Sequence, residues 1–115
     1  MEVQVFGTRG CADTRAALRF FSERRVKTHF VDLKERAASQ GELKRFAQKF
    51  GVDALVDRDA KRFGALGLQR AHYGEAKWLD LLEQEPLLLK TPLVRHGSAL
   101  TIGAAEGAWQ SWMVS

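Results

Sequence analysis

Cys11 is the only cysteine of this chain, and the residues around it favour one particular chemistry. It follows the strand-like run Glu2-Val3-Gln4-Val5-Phe6 and the glycines Gly7 and Gly10. A helical pattern comes next, with Ala16, Ala17, Leu18, Phe20 and Phe21 as its apolar stripe and Arg15, Arg19, Glu23 and Arg24 on the polar side. Cys11 therefore falls in the loop that opens a helix. There the first backbone N–H groups lack intrahelical partners and the positive end of the helix dipole favours an anion. A thiolate is such an anion, and this setting lowers a cysteine pKa and makes the sulfur nucleophilic. The alternative for a lone cysteine is a small buried filler, because free cysteine is among the most buried residue types. These residues by themselves leave both readings open.

Other chemistries have less to stand on. His29, His72 and His96 occur singly, without the spaced carboxylate or cysteine partners that zinc or iron requires, so no metal site is expected. No serine sits in a nucleophile elbow. The net charge of +4 raises the local concentration of anions such as oxyanions, glutathione or nucleic acid. The basic residues are mixed with acids along the chain, however, and do not alternate with aromatics as in single-strand binders, which argues against nucleic acid.

The elements that must hold Cys11 can be read in order. A chain of 115 residues, 45% hydrophobic and 28% charged, fits one soluble globular domain spanning residues 1–115. No apolar run approaches the roughly 18 residues of a membrane span, and no signal peptide opens the chain. One cysteine cannot form an internal disulfide, which fits a reducing, cytoplasmic compartment. A first strand over about 2–7 and a helix over about 12–25, ending in Arg24-Arg25, lead to a second strand over 26–33 rich in β-branched and aromatic residues. An intervening helix makes these two strands parallel.

Ser39-Gln40-Gly41-Glu42 matches the capping box of a further helix, with Leu43, Phe46, Ala47 and Phe50 at helical spacing and Gly51 placed for a left-handed C-cap. A short helix follows over about 60–68, with Asp59 as a possible cap, Phe63 and Leu66 inward and Gly67 as its stop; Arg58 would point away from its apolar face. Another helix ends before Pro86. Leu93-Val94-Arg95, a turn at His96-Gly97-Ser98 and Ala99 to Gly103 form an antiparallel hairpin. A last helix carries Trp109 and Trp112. The fold class is α/β: a thioredoxin-like, four-stranded mixed sheet, made of a parallel βαβ unit and an antiparallel hairpin, with a helical insertion over about 39–85.

Several stretches together resemble the arsenate reductase/Spx-like branch of the thioredoxin superfamily, which includes single-cysteine, glutathione-dependent members. They are Val5-Phe6-Gly7 leading into Cys11-Ala12-Asp13-Thr14-Arg15, then Leu55-Val56-Asp57-Arg58, then Phe63 to Leu68, and finally Glu85-Pro86-Leu87-Leu88-Leu89-Lys90-Thr91-Pro92-Leu93-Val94. The resemblance implies that Cys11 is the nucleophile and that Arg58 is the arginine approaching it. It implies that Pro92 is a cis-proline facing Cys11. Gly10, Ala12, Asp13, Thr14, Arg15, Thr91, Pro92 and Arg95 would then contact substrate or glutathione. The implied activity is a glutathione-dependent thiol–disulfide oxidoreductase with no bound cofactor, glutathione as co-substrate, glutathione or glutaredoxin as partner, and a small oxyanion or disulfide as substrate.

The chain departs from the family pattern at informative places. Arsenate reductases of this type have a histidine at the position of Gly7 and arginines at those of Thr91 and Gly103. Binding of an arsenate dianion relies on several fixed guanidinium groups. Thr14 also replaces the second cysteine of Spx-type regulators. Arsenate reduction proper, and a non-enzymatic Spx-like module binding RNA polymerase, are the two alternatives.

Overall fold

The alternation of Val3 and Val5 and the adjacent Phe6 build a strand that is buried on both faces, and this strand is the centre of the sheet. The computed structural model describes residues 1–114. Strand β1 (Glu2–Gly7) pairs in parallel with β2 (Lys27–Asp32) and antiparallel with β3 (Leu93–His96), which pairs antiparallel with β4 (Ala99–Ile102). The order β2-β1-β3-β4 is the expected thioredoxin-like mixed sheet.

The chain divides into two compact units. Of the described residues, one comprises 1–32 and 91–114, the other 33–90. In the first, helix α1 (Ala12–Glu23) buries Thr14, Ala17, Phe20 and Phe21, which recur on one face at helical spacing. They pack with Val3, Val5, Val94 and Trp109 in a single core cluster. Trp109 comes from the last helix, α5 (Glu106–Trp112), and is fully buried; its Nε1 donates to Thr101 Oγ1 at 2.9 Å. Phe20 and Phe21 each lie 5.5 Å from it between ring centroids.

Helix α1 ends two residues earlier than the basic pair Arg24-Arg25 suggests. The Arg25 amide bonds Ser22 O at 3.1 Å and the Val26 amide reaches back to Phe21 O at 3.0 Å, the paired bonds of a Schellman ending. Arg25 thus occupies the left-handed position, φ 57°, where glycine is usual. A side chain there costs about 1 kcal/mol.

In the second unit, Ser39 caps α2 (Gln40–Phe50) through the full capping box: the Glu42 amide donates to Ser39 Oγ at 3.1 Å and the Ser39 amide to Glu42 Oε1 at 2.9 Å. Gly51 has positive φ (84°) but ψ 147°, so it ends the helix in an extended rather than a left-handed helical turn. Helices α3 (Lys61–Ala65) and α4 (Glu75–Gln84) follow, and 3₁₀ turns cover Val52–Leu55, Leu68–Arg70 and Pro86–Leu88. Two expectations about α3 need correction. Ala60, not Asp59, is its N-cap, because the Asp59 amide is held by Asp57 Oδ1 at 3.0 Å in a local turn. Leu66 is exposed, since a helix of five residues has room to bury one apolar position, and Phe63 takes it. No helix among the described residues is long and apolar enough to cross a membrane.

Candidate functional site: the Cys11 loop

Cys11 is the N-cap residue of α1, with extended backbone (φ −86°, ψ 121°), and its side chain makes no capping bond. The sulfur is therefore free to receive helix amides instead of competing with them. The loop before it is tied by the Cys11 amide to Thr8 O at 3.1 Å and by Arg15 Nη1 to Arg9 O at 2.7 Å. Across from it, the Thr91–Pro92 bond is cis, as the resemblance implies. The thiol Sγ donates to Thr91 O at 3.8 Å.

Cys11 is half-buried, and partial burial works against its anion. The Thr14 hydroxyl, the Thr91 side chain and the backbone amides of Thr14 and Asp13 outweigh that penalty and hold the thiol below its ordinary value. Thr14 is the informative member. Its hydroxyl is wholly buried and has no other hydrogen-bond partner among the described residues. An orphaned buried hydroxyl costs free energy unless something accepts it, and the thiolate is the acceptor in reach. The isosteric Thr14→Val is thus expected to move the thiol back toward ordinary cysteine behaviour. The rise in thiolate ultraviolet absorbance during a pH titration should shift to higher pH, with the fold unchanged by circular dichroism.

Gly7 explains why Thr14 can sit there. A Cβ at residue 7 would lie 2.3 Å from Thr14 Oγ1 and 2.6 Å from Cγ2. The glycine at this position is required by that close approach, and the space a histidine would need holds the threonine. Gly7→Ala is expected to cost about 1–3 kcal/mol through overpacking. In a Thr14→Ala background the cost should be much smaller, because only the residue 14 Cβ, at 3.0 Å, remains in the way. A double-mutant cycle by urea unfolding reads this coupling.

The other expected residues separate into distinct groups. Ala12 and Asp13 are exposed on the first turn, and a Cβ on Gly10 would meet nothing within 4 Å. Thr14 is behind the sulfur, fully buried, which removes it from direct ligand contact and makes it a positioning residue instead. Pro92 is buried, and its carbonyl accepts from the Gly103 amide at 2.8 Å, with Gly103 at φ 75°. Arg15 is engaged with Arg9 O. Arg95 Nε donates to Gly97 O at 2.9 Å, at the hairpin end of β3, while Thr91 stands before its other end.

Arg58 lies in the unit of residues 33–90. Instead of pointing away from the apolar residues, its guanidinium lies 5.6 Å from the Phe63 ring centroid and 5.9 Å from that of Trp78, with Nη2 3.8 Å from Asp53 Oδ1. Among the described residues, no three His, Cys, Asp or Glu side chains are grouped to hold a metal. Sequence reasoning missed the Gly7–Thr14 contact and the Gly103–Pro92 bond. Their only trace in the chain is a glycine at each of two positions.

Known proteins resemble this chain over nearly its full length. A curated relative, the uncharacterized protein YusI of Bacillus subtilis (strain 168), is 26% identical over 104 residues, covering 87% of this chain and 88% of its own. Among solved structures, a YFFB protein superposes with a TM-score of 0.85 at 24% identity, covering 95% of this chain and 96% of its own. An arsenate reductase from Vibrio cholerae gives 0.80 at 19% identity, covering 100% and 98%. At these identities the structural likenesses establish the fold. The model of the ArsC family matches residues 6–112, and the chain, with its cysteine at the mouth of α1 and a cis-proline opposite, belongs to that family.

Proposed function

We propose that the protein is a thiol–disulfide oxidoreductase with Cys11 as its thiolate nucleophile and glutathione as its reducing co-substrate. The observation that carries this reading is the seat of the sulfur at the N-cap of α1 and opposite the cis Thr91–Pro92 bond, where Thr14, Thr91 and the first amides of α1 hold the thiol below its ordinary value. The Cys11 thiolate attacks one sulfur of a disulfide, forming a mixed disulfide and releasing the other half as a thiolate. No second cysteine exists in the chain to resolve the adduct, so an external thiol is required. A glutathione thiolate attacks the mixed disulfide, regenerates the Cys11 thiolate and leaves with its partner sulfur as a new disulfide. This chemistry suits a reducing compartment such as the cytoplasm.

The exposed Gly10, Ala12 and Asp13 and the main chain at Thr91 and Pro92 offer the peptide-like groups of glutathione a surface beside the sulfur. Arg58 is the family's candidate for assisting the thiolate. Its ion pair with Asp53 is long, at 3.8 Å, which leaves donors available. Arsenate is a weaker candidate substrate, because Arg15 and Arg95 are both bonded to main-chain carbonyls and would have to leave them to bind a dianion. A glutathione-coupled assay with a low-molecular-weight mixed disulfide, run beside one with arsenate, tests the reading. Disulfide-dependent turnover exceeding arsenate-dependent turnover is expected, with Arg58→Gln slower than wild type. Turnover with arsenate alone would reverse the assignment.

A further inference from the structure

Two arginines flank the sulfur without belonging to its hydrogen-bond cradle. Arg9 stands two residues before Cys11, in the turn closed by the Cys11 amide on Thr8 O. Arg15 stands one helical turn after Cys11 and folds back, with Nη1 on Arg9 O at 2.7 Å. That bond fixes the Arg15 guanidinium on the loop, and Cα atoms two residues apart lie within about 7 Å, so the charge is held close to the thiol. The Arg9 guanidinium is fixed as well, with its carbon 4.8 Å from the Phe30 ring centroid. Both side chains are exposed, and neither makes an ion pair among the described residues. The carboxylates at this end of the unit do not cancel them. Asp13 is single and exposed on the first turn of α1. Asp32, level with Gly7 at the end of β2, is half-buried and engaged in contacts of its own. The positive end of the α1 dipole adds to the same sign. Between the two arginines, the buried Thr14 hydroxyl has no other partner among the described residues and turns to the sulfur.

We propose that Arg9 and Arg15 make the site selective for acidic disulfides, those carrying carboxylates close to their sulfur atoms. This rests on Cys11 being the nucleophile of disulfide exchange. The Cys11 thiolate bonds to one substrate sulfur, the substrate S–S bond breaks, and the other sulfur leaves as a thiolate that takes its proton from water. Glutathione then reduces the adduct as described above. Neither guanidinium has to leave its place for this: Arg15 keeps its bond to Arg9 O, Arg9 stays on the Phe30 ring, and both act through charge. The Debye length is about 8 Å at physiological ionic strength, so their field reaches a substrate at the sulfur. A thiolate by itself repels a disulfide that carries carboxylates. Fixed cations beside it offset that repulsion and raise the local concentration of such substrates.

The test follows adduct formation on the full chain by intact mass with three small symmetric disulfides. Dithiodipropionate carries two carboxylates, bis(2-hydroxyethyl) disulfide is neutral, and cystamine carries two ammonium groups. Each rate is divided by that of free 2-mercaptoethanol thiolate with the same disulfide, which removes intrinsic reactivity. The normalised ratio of dithiodipropionate to cystamine does not depend on the thiol pKa or on the folded fraction, because both scale all three rates alike. A ratio of at least about fivefold at low salt is expected, falling toward one at about 1 M salt. Arg9→Gln combined with Arg15→Gln should bring the low-salt ratio to about one, and Asp13→Asn should raise it. Lys27→Gln removes the same charge at the start of β2, about 17 Å along the strand from its Cys11 end, and should leave the ratio unchanged. A wild-type ratio near one, or an undiminished ratio in the double variant, overturns the proposal and leaves exchange at Cys11 standing. Failure of all three disulfides to form an adduct overturns both.

Discussion

Cys11→Ser is expected to reduce disulfide exchange to the uncatalysed background while leaving the fold intact. A serine hydroxyl in the same cradle meets the same donors, yet it stays protonated at neutral pH and cannot form the mixed disulfide through which exchange proceeds. The cost to stability should stay within about 0.5 kcal/mol, as for other substitutions away from the packed core. Cys11 is half-buried, and its thiol donates to Thr91 O across a long 3.8 Å contact. Intact mass after incubation with oxidised glutathione reads the result: wild type should carry one glutathione adduct and Cys11→Ser none. An adduct-free wild type that still turned over disulfide would place the reaction elsewhere.

Trp109→Ala is expected to destabilise the protein by about 3–5 kcal/mol, the range for truncating a large buried aromatic. The ring is fully buried between Phe20 and Phe21, and α5, which carries it, is only seven residues long. Removing it also strands the buried Thr101 hydroxyl that accepts from its Nε1. Since small domains are stable by about 5–15 kcal/mol in total, the variant should unfold at a markedly lower urea concentration. Trp109→Phe separates the two contributions, because it keeps most of the packing and loses the hydrogen bond.

The sheet was legible because its signals are local. Alternating residues marked β1, the Ser39–Glu42 box marked the start of α2, and Gly97 marked the hairpin turn, where φ is 59°. Such patterns reside in consecutive side chains and need no tertiary partner. Helix endings were less legible where the usual residue was absent. Arg25 adopts the left-handed turn that glycine advertises, so the end of α1 carried no sequence mark. Helix α3 is too short to bury both Phe63 and Leu66, as their spacing suggests, and only Phe63 faces inward.

At the site, the glycine, cysteine and following apolar stripe were enough to place Cys11 at a helix mouth. The geometry behind the sulfur was not legible, because Gly7 and Thr14 meet across a strand and a helix and neither type alone implies the contact. The same contact gives a physical reason for glycine where the resemblance associates a histidine with arsenate reduction: the pocket wall is already occupied. Arg15 and Arg95 looked available in sequence and are bonded to carbonyls in the structure, which only their side-chain directions could reveal.

The central claim is that the Cys11 thiol ionises below its ordinary value, held there by Thr14, Thr91 and the first amides of α1. The rate of iodoacetamide alkylation of the native protein as a function of pH measures this directly. The account predicts a midpoint clearly below the value of about 8.5 for a free cysteine, moving back up when the protein is unfolded in urea. A native midpoint at or above that value would contradict it and remove the basis for catalysis.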